Sequence, residues 1–193
     1  DESNALNIAK EIIKESIEGT ERVKNIVLAL KDFVRPRENE LVNTDINNGI
    51  ETMLNIILSN YKNNTKITKN FGDLPLIKCY PQQINQAVKN IIMNAVQAVD
   101  ADGEIDISTM ADNENGYVKI RITDNGIGIA PKNISQIFDP FFTTREVGQG
   151  TGLGLHIAYN FIKMNNGNIN VESTIGKGSS FIIQIPFQPA ESL

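Results

Sequence analysis

Asn90 and Asn94 lie four residues apart, with Gln97 three further on, inside a run whose apolar residues keep helical spacing. Residues three or four apart share a helix face, so these amides form one stripe. An amide oxygen is a hard, neutral donor of the sort Mg²⁺ accepts, and that cation keeps its other positions for water and phosphate. Asn94 is the candidate to hold the metal, and Asn90 the candidate to donate to a phosphate oxygen. The plain alternative is an amide stripe facing water, since asparagine is mostly exposed. A second group is Asp124 with Gly126 and Gly128. A carboxylate at a strand end can accept from an exocyclic amine such as that of adenine. The glycines permit positive φ and close approach of a flat ring. Asp-Asn-Gly is also an ordinary turn. The strongest group is a comb of glycines at every second position, Gly148, Gly150, Gly152 and Gly154, running into Leu155-His-Ile-Ala-Tyr. Free backbone N–H groups and the helix dipole make such a junction an anion site. Its spacing is neither that of a P-loop nor that of the dinucleotide fingerprint. Between the glycine stretches sit Phe138, Phe141 and Phe142, with Arg145 close behind. Phe141 and Phe142 are expected to tuck against something that moves, and Arg145 can reach a phosphate. Together these groups read as the adenine end, the lid and the phosphate end of one nucleotide site.

Positioning them takes a sheet and several helices. Residues 4–34 read as one long amphipathic helix with Ile13, Ile17, Val23, Val27, Leu30 and Val34 on its apolar stripe. Arg35-Pro36-Arg37 ends it. A lone helix of this kind needs a partner helix to cover the stripe. Residues 38–44 read as a polar connector. Asp45 is placed to cap a helix over 46–60. Short apolar runs near 66–70 and 76–79 suit strands. Pro81 opens the strongest helix, at the first-turn position proline favours. Asp102-Gly103 is expected to end it. Alternating runs follow at 105–109, 118–123, 169–171 and 181–185, with turns at Asn115-Gly116 and Gly176-Lys-Gly178. Strict alternation gives a sheet with one covered and one wet face. Helices at 46–60, 81–101 and 153–165 would cover it. The expected fold is therefore α+β, a two-layer α/β sandwich whose mixed, mostly antiparallel sheet is covered on one face by helices. A long helix precedes it. The domain boundary falls between 1–37 and 38–193.

Composition narrows the function classes. A net charge of −5 over 193 residues argues against nucleic acid as an obligatory partner. The single cysteine, Cys79, excludes an internal disulfide and suits a buried small apolar position. No apolar run approaches the roughly 18–20 residues that span a bilayer, and no basic, apolar leader opens the chain. A cytoplasmic location is expected, with any membrane anchor outside this sequence.

The ordered groups carry a resemblance. Asn90-Ile-Ile-Met-Asn94-Ala, Asp124-Asn-Gly-Ile-Gly128, Phe138-Asp-Pro-Phe-Phe142-Thr-Thr and Gly150-Thr-Gly-Leu-Gly154-Leu resemble the N, G1, F and G2 boxes of sensor histidine kinase ATP-binding domains. These belong to the wider family of gyrase, Hsp90 and MutL proteins. Gly176-Lys-Gly-Ser-Ser-Phe181 is similar to the late glycine motif whose hydroxyl, here Ser179, supports the adenine contact. The resemblance covers about residues 40–187 and is nearest to the nitrogen-regulation-like subtype. It implies ATP and Mg²⁺ as cofactors. It makes Asn90 and Asn94 the catalytic pair, with Asn94 on the metal. It assigns nucleotide contacts to Asn90, Asn94, Gln97, Ala98, Asp124, Gly126, Gly128, Ile129, Phe142, Thr143, Arg145, Gly148, Gly150, Thr151, Gly152, Leu153, Gly154, Leu155 and Ser179. Many kinases carry Lys where Gln97 stands, and Arg145 is the candidate to compensate. Residues 1–37 resemble the second helix of a dimerisation and phosphotransfer hairpin, through Glu21-Arg22-Val and Phe33-Val-Arg-Pro36. The first helix, with its phosphoacceptor histidine, is expected outside this sequence. His156, the one histidine, reads as structural.

The implied reaction is transfer of the ATP γ-phosphoryl group to a histidine outside this chain, then to a response regulator aspartate. Self-phosphorylation is not expected. Implied partners are a response regulator receiver domain, the phosphoacceptor hairpin of the same kinase and a second copy in a homodimer. Two other readings stay open: an ATP-hydrolysing dimer clamp, and a non-catalytic nucleotide-sensing docking module. The clamp needs a water-activating carboxylate where Asn90 stands.

Overall fold

The computed structural model describes residues 7–17, 19–20, 23–24, 27, 40–60, 65–100, 102–145 and 150–187. Alternating isoleucines build the centre of the fold. In β4 (Glu104–Asp112) the buried residues are Ile105, Ile107 and Thr109. In β5 (Tyr117–Asp124) they include Val118, Ile120 and Ile122, and in β7 (Gly178–Pro186) Phe181, Ile183 and Ile185. Antiparallel register sets these side chains in rows, Ile107 beside Ile122 beside Phe181, and Ile120 beside Ile183. Each fully buried isoleucine or phenylalanine contributes about 1.5–3 kcal/mol of transfer free energy. Lys119 and Arg121, out of phase with the rows, fall on the opposite face.

The five-stranded sheet has the order β2-β4-β5-β7-β6, with β2 (Lys66–Phe71) and β6 (Asn168–Thr174) at its edges. Only β2 and β4 run parallel. A parallel pair needs a long crossover. Here it passes through β3 (Ile77–Cys79) and α2 (Pro81–Ala98). With α1 (Ile46–Asn60) and α3 (Gly154–Met164), α2 forms the second layer. Ile84, Val88, Ile91, Ile92 and Ala95 of α2 join Ile50 and Leu54 of α1 and Ala158 and Ile162 of α3 in one core. The protein is thus a two-layer α/β sandwich with a mostly antiparallel sheet covered by helices, as expected.

Asp45 caps α1: its Oδ1 accepts from the Asn48 N–H at 3.0 Å. Pro81 occupies the first turn of α2. Cys79 is buried, and burial pushes its thiol pKa up. Two expectations are corrected. The connector at 38–44 is partly a strand, because β1 (Val42–Thr44) pairs antiparallel with β3 as a separate ribbon. Three residues are too few to show alternation, so only the tertiary partner reveals the pairing. Also, α2 ends at Ala98 rather than at 101. Val99 turns extended, and the freed Ala98 carbonyl accepts from the Ile127 N–H at 3.0 Å.

Residues 7–17, 19–20, 23–24 and 27 are helical. Ile13, Ile17, Val23 and Val27 are more than half exposed. Leu30 and Val34 lie outside the described residues.

Candidate functional site

The amide stripe lies where the apolar face of α2 gives out. Burial of Ile91, Ile92, Ala95 and Val96 fixes the helical phase, leaving Asn90 and Asn94 half-buried and Gln97 exposed. Asn90 Nδ2 donates to the Gly154 carbonyl at 2.9 Å, and its Oδ1 accepts from Gln86 Nε2 at 3.4 Å. The first residue of α3 is thereby tied to the stripe. Asn94 Oδ1 accepts from Arg145 Nη2 at 3.3 Å, and Gln97 Oε1 accepts from Arg145 Nη1. Arg145 is half-buried, and burial pushes its pKa down from the ordinary value. Among the described residues no carboxylate pairs with it.

The glycine comb ends in an open helix terminus. Leu153 is the N-cap of α3, with no side-chain cap bond and no acidic residue in the first turn. The first backbone N–H groups of a helix lack internal partners, so this end suits an anion. Thr151 Oγ1 accepts from the Leu153 N–H at 3.3 Å. Gly152 has φ +66, and a Cβ there would stand 2.3 Å from the Phe141 carbonyl carbon. The aromatic segment is thus laid directly on the comb. Thr143 Oγ1 accepts from the Arg145 N–H at 3.2 Å. Gly148 lies outside the described residues.

The aromatic cluster divides differently from expectation. Phe142 packs on the core, but Phe141 is 60% exposed. What tucks is the Phe141 backbone, at φ +67 against Gly152, a strained setting that costs about 1–3 kcal/mol. Phe138 is held by α3. Its ring lies 5.4 Å from that of Tyr159, and its carbonyl is 2.9 Å from His156 Nδ1. Asn160 Nδ2 stands 3.0 Å from His156 Nε2. Both ring nitrogens of His156 are engaged within the fold.

The other end is buried. Asp124 closes β5 at 3% exposure. Its Oδ1 accepts from the N–H of Gly126 at 2.9 Å and of Ser179 at 3.3 Å. Its Oδ2 accepts no hydrogen bond among the described residues. Burial pushes the carboxyl pKa up, against those two bonds. Ser179 meets Asp124 through its backbone, while its hydroxyl lies 3.0 Å from Ser173 Oγ. Ser173 is the residue that sequence reasoning missed. Its Oγ accepts from the Ile129 N–H at 2.8 Å and donates to the Gly178 carbonyl at 2.9 Å. The signal was in the register, since the turn at Gly176–Gly178 sets Ser173 opposite Ser179.

Of the two glycines, Gly128 has the positive φ expected and Gly126 does not. Gly126 is not at positive φ, and a Cβ on it would meet the Ala98 carbonyl oxygen at 2.2 Å. Gly128 has φ +70, and its Cβ would meet the Thr174 carbonyl oxygen at 2.1 Å. Their side-chain directions are filled by backbone, because the loop is clasped between the end of α2 and the β6–β7 turn. Ile127 donates to Ala98 and accepts from the Gly176 N–H at 2.9 Å. Helix α2 therefore links the two ends, Asn90 at Gly154 and Ala98 at Ile127, about 12 Å apart along its axis.

A family profile described as histidine kinase-, DNA gyrase B-, and HSP90-like ATPase matches residues 79–189. The chain is similar to sensor histidine kinase ZraS of Escherichia coli, 35% identical over 169 residues, 86% of this chain and 35% of that protein. It is also similar to the signal transduction histidine-protein kinase AtoS of Escherichia coli, 31% identical over 184 residues, 94% of this chain and 30% of that protein. It spans about a third of the length of these relatives. The solved catalytic domain of histidine kinase ThkA matches with a TM-score of 0.67 at 28% identity, over 77% of this chain and 96% of that one. The fold of ShkA, solved full-length in complex with AMPPNP, matches with a TM-score of 0.74 at 24% identity, over 92% and 38%.

Proposed function

We propose a phosphoryl-transfer role on the premise that this chain belongs to the histidine kinase-, DNA gyrase B-, and HSP90-like ATPase family and carries a histidine kinase-type ATP-binding catalytic domain. In this reading the γ-phosphoryl group of ATP passes to a histidine outside this chain, and then to the aspartate of a response regulator receiver domain. The observation that carries it is the Asn90–Gly154 bond, which joins the amide stripe to the open end of α3 across 64 positions. Such transfer is achieved by positioning and charge neutralisation rather than by a protein nucleophile. Asp124 would accept from the adenine amine through its unpartnered Oδ2. Gly150 to Leu155 would wrap the phosphates, and the Phe141–Arg145 segment would serve as the lid.

The donor set suits Mg²⁺. Asn94 offers a hard amide oxygen beside the phosphate end, and among the described residues no cluster of His, Cys, Asp or Glu competes for a metal. Bound there, Mg²⁺ would neutralise phosphate charge. The amide at Asn90, in place of a carboxylate, disfavours the hydrolysing clamp. His156, spent on Phe138 and Asn160, supports an acceptor histidine elsewhere. We assign residues 1–37 to the second helix of a dimerisation hairpin, with a homodimer and the nitrogen-regulation-like subtype as parts of the same proposal. The nucleotide domain is then residues 38–193. Among the described residues no helix is long and apolar enough to cross a membrane. Incubation with γ-labelled ATP tests the reading: the chain should bind ATP and remain unlabelled. An acid-labile, base-stable label on His156 would overturn it.

A further inference from the structure

The Arg145 guanidinium has two acceptors among the described residues, Gln97 Oε1 and Asn94 Oδ1, and both are neutral. It is half-buried, yet no carboxylate stands against it among those residues. Two amide oxygens occupy two of its five N–H donors, and among the described residues no carboxylate compensates its charge. A guanidinium binds carboxylate or phosphate oxygens about twice as strongly as neutral ones. The backbone of Arg145 is held at the phosphate end through Thr143, and its Cδ lies 3.5 Å from the Cβ position of Gly150. The same side chain can therefore serve the amides or an anion at the comb. While it is on Asn94 it occupies one of the two lone pairs of that amide oxygen and sets a positive charge beside it.

Resting on the nucleotide reading above, we propose that Gln97 and Asn94 form a parking seat for Arg145, which a bound phosphate chain draws off, releasing Asn94 Oδ1. Gln97 is then a positioning residue that acts through Arg145, not a phosphate ligand. Arg145 becomes a specificity-determining residue. A nucleoside without phosphates leaves it parked, and a nucleotide must win it from the seat. The affinity for the phosphate chain is a difference between two seats, so weakening the first should tighten the second.

Calorimetric titration with ATP and with adenosine, in magnesium-free buffer, reads this as the ratio of the two affinities. Gln97→Ala should raise the ATP-to-adenosine ratio about three- to tenfold, the worth of one modest hydrogen bond. Arg145→Ala should lower it about tenfold or more. Where Arg145→Ala fails to fold, Arg145→Gln, which removes the charge and keeps bulk, replaces it. In the Arg145 variant, Gln97→Ala should leave the ratio within about twofold, because the coupling has lost its other partner. A Gln97→Ala ratio at or below the wild-type value overturns the parking seat, as does a rise that persists without Arg145. If the wild-type chain binds neither ATP nor adenosine, the nucleotide reading itself falls and the seat falls with it.

Discussion

The two ends of the site are built on opposite principles. At the Asp124 end the loop is clasped by the fold's own backbone. The carboxylate holds two N–H groups, Ser173 ties Ile129 to Gly178, and Gly126 and Gly128 are pressed against backbone carbonyls. At the Arg145 end the amides are half-exposed, the helix terminus is uncapped, and a half-buried cation leans on neutral oxygens. The first end is part of the folded core, and its shape is set before any ligand arrives. Among the described residues the second lacks a counter-charge for its cation, so it is the end where a ligand is expected to change the arrangement.

The most severe way to probe that contrast is to add bulk to a glycine at each end. Gly126→Val puts atoms within 2.2 Å of the Ala98 carbonyl oxygen, where only backbone can yield. A loss of more than about 3 kcal/mol is expected, in line with overpacked core sites, read by denaturant unfolding. Gly150→Ala meets the Thr143 hydroxyl at 3.0 Å and the Arg145 side chain beyond it, both free to shift. Its cost should stay under about 1 kcal/mol. Equal losses at the two positions would break the contrast.

Ligand binding gives the next largest effect. Asp124→Asn sets an amide donor where the free Oδ2 now faces the proposed adenine amine. It should weaken adenosine and ATP alike, about a hundredfold by calorimetry. A loss confined to ATP would move Asp124 out of the adenine end. Asn90→Ala should act in the opposite sense, weakening ATP about tenfold and adenosine much less. It also forfeits the Gly154 bond, for about 1 kcal/mol of stability. An adenosine loss as large as the ATP loss would show that Asn90 holds up the whole site rather than its phosphate end.

The sequence was legible wherever burial imposes a period. The rows of Ile107, Ile120, Ile122 and Ile183, the stripe on α2 and the Asp45 cap could all be read in advance. What escaped depends on a partner distant in the chain. Nothing local tells that Val42–Thr44 pairs with Ile77–Cys79, or that Ala98 stops its helix to receive the Ile127 N–H. For the glycine pair the place was legible and the backbone reason holds at Gly128, which has positive φ, but not at Gly126. Glycine spacing shows where side chains are forbidden but not whether a ligand or backbone fills the space. Ser173 was hidden because a serine in an edge strand has no local signature, and only the register shows what it faces.

The smallest effect separates stability from binding at Asp124 itself. Burial raises the folded carboxyl pKa above the unfolded value of about 3.9. The contribution of this group to stability is therefore fully present below about pH 3.9 and is lost as pH rises through the raised folded value. An asparagine does not titrate, and it keeps an oxygen for the Gly126 and Ser179 N–H groups. Asp124→Asn should then be more stable than wild type at pH 7, with a higher Tm. The gap should close as pH falls toward 4. Thermal unfolding at several pH values checks both sign and trend. A variant less stable than wild type at pH 7 would mean that the charged carboxylate is held by the fold at a net gain. Asp124 would then be a structural anchor, rather than a charge buried at a cost that ligand binding offsets.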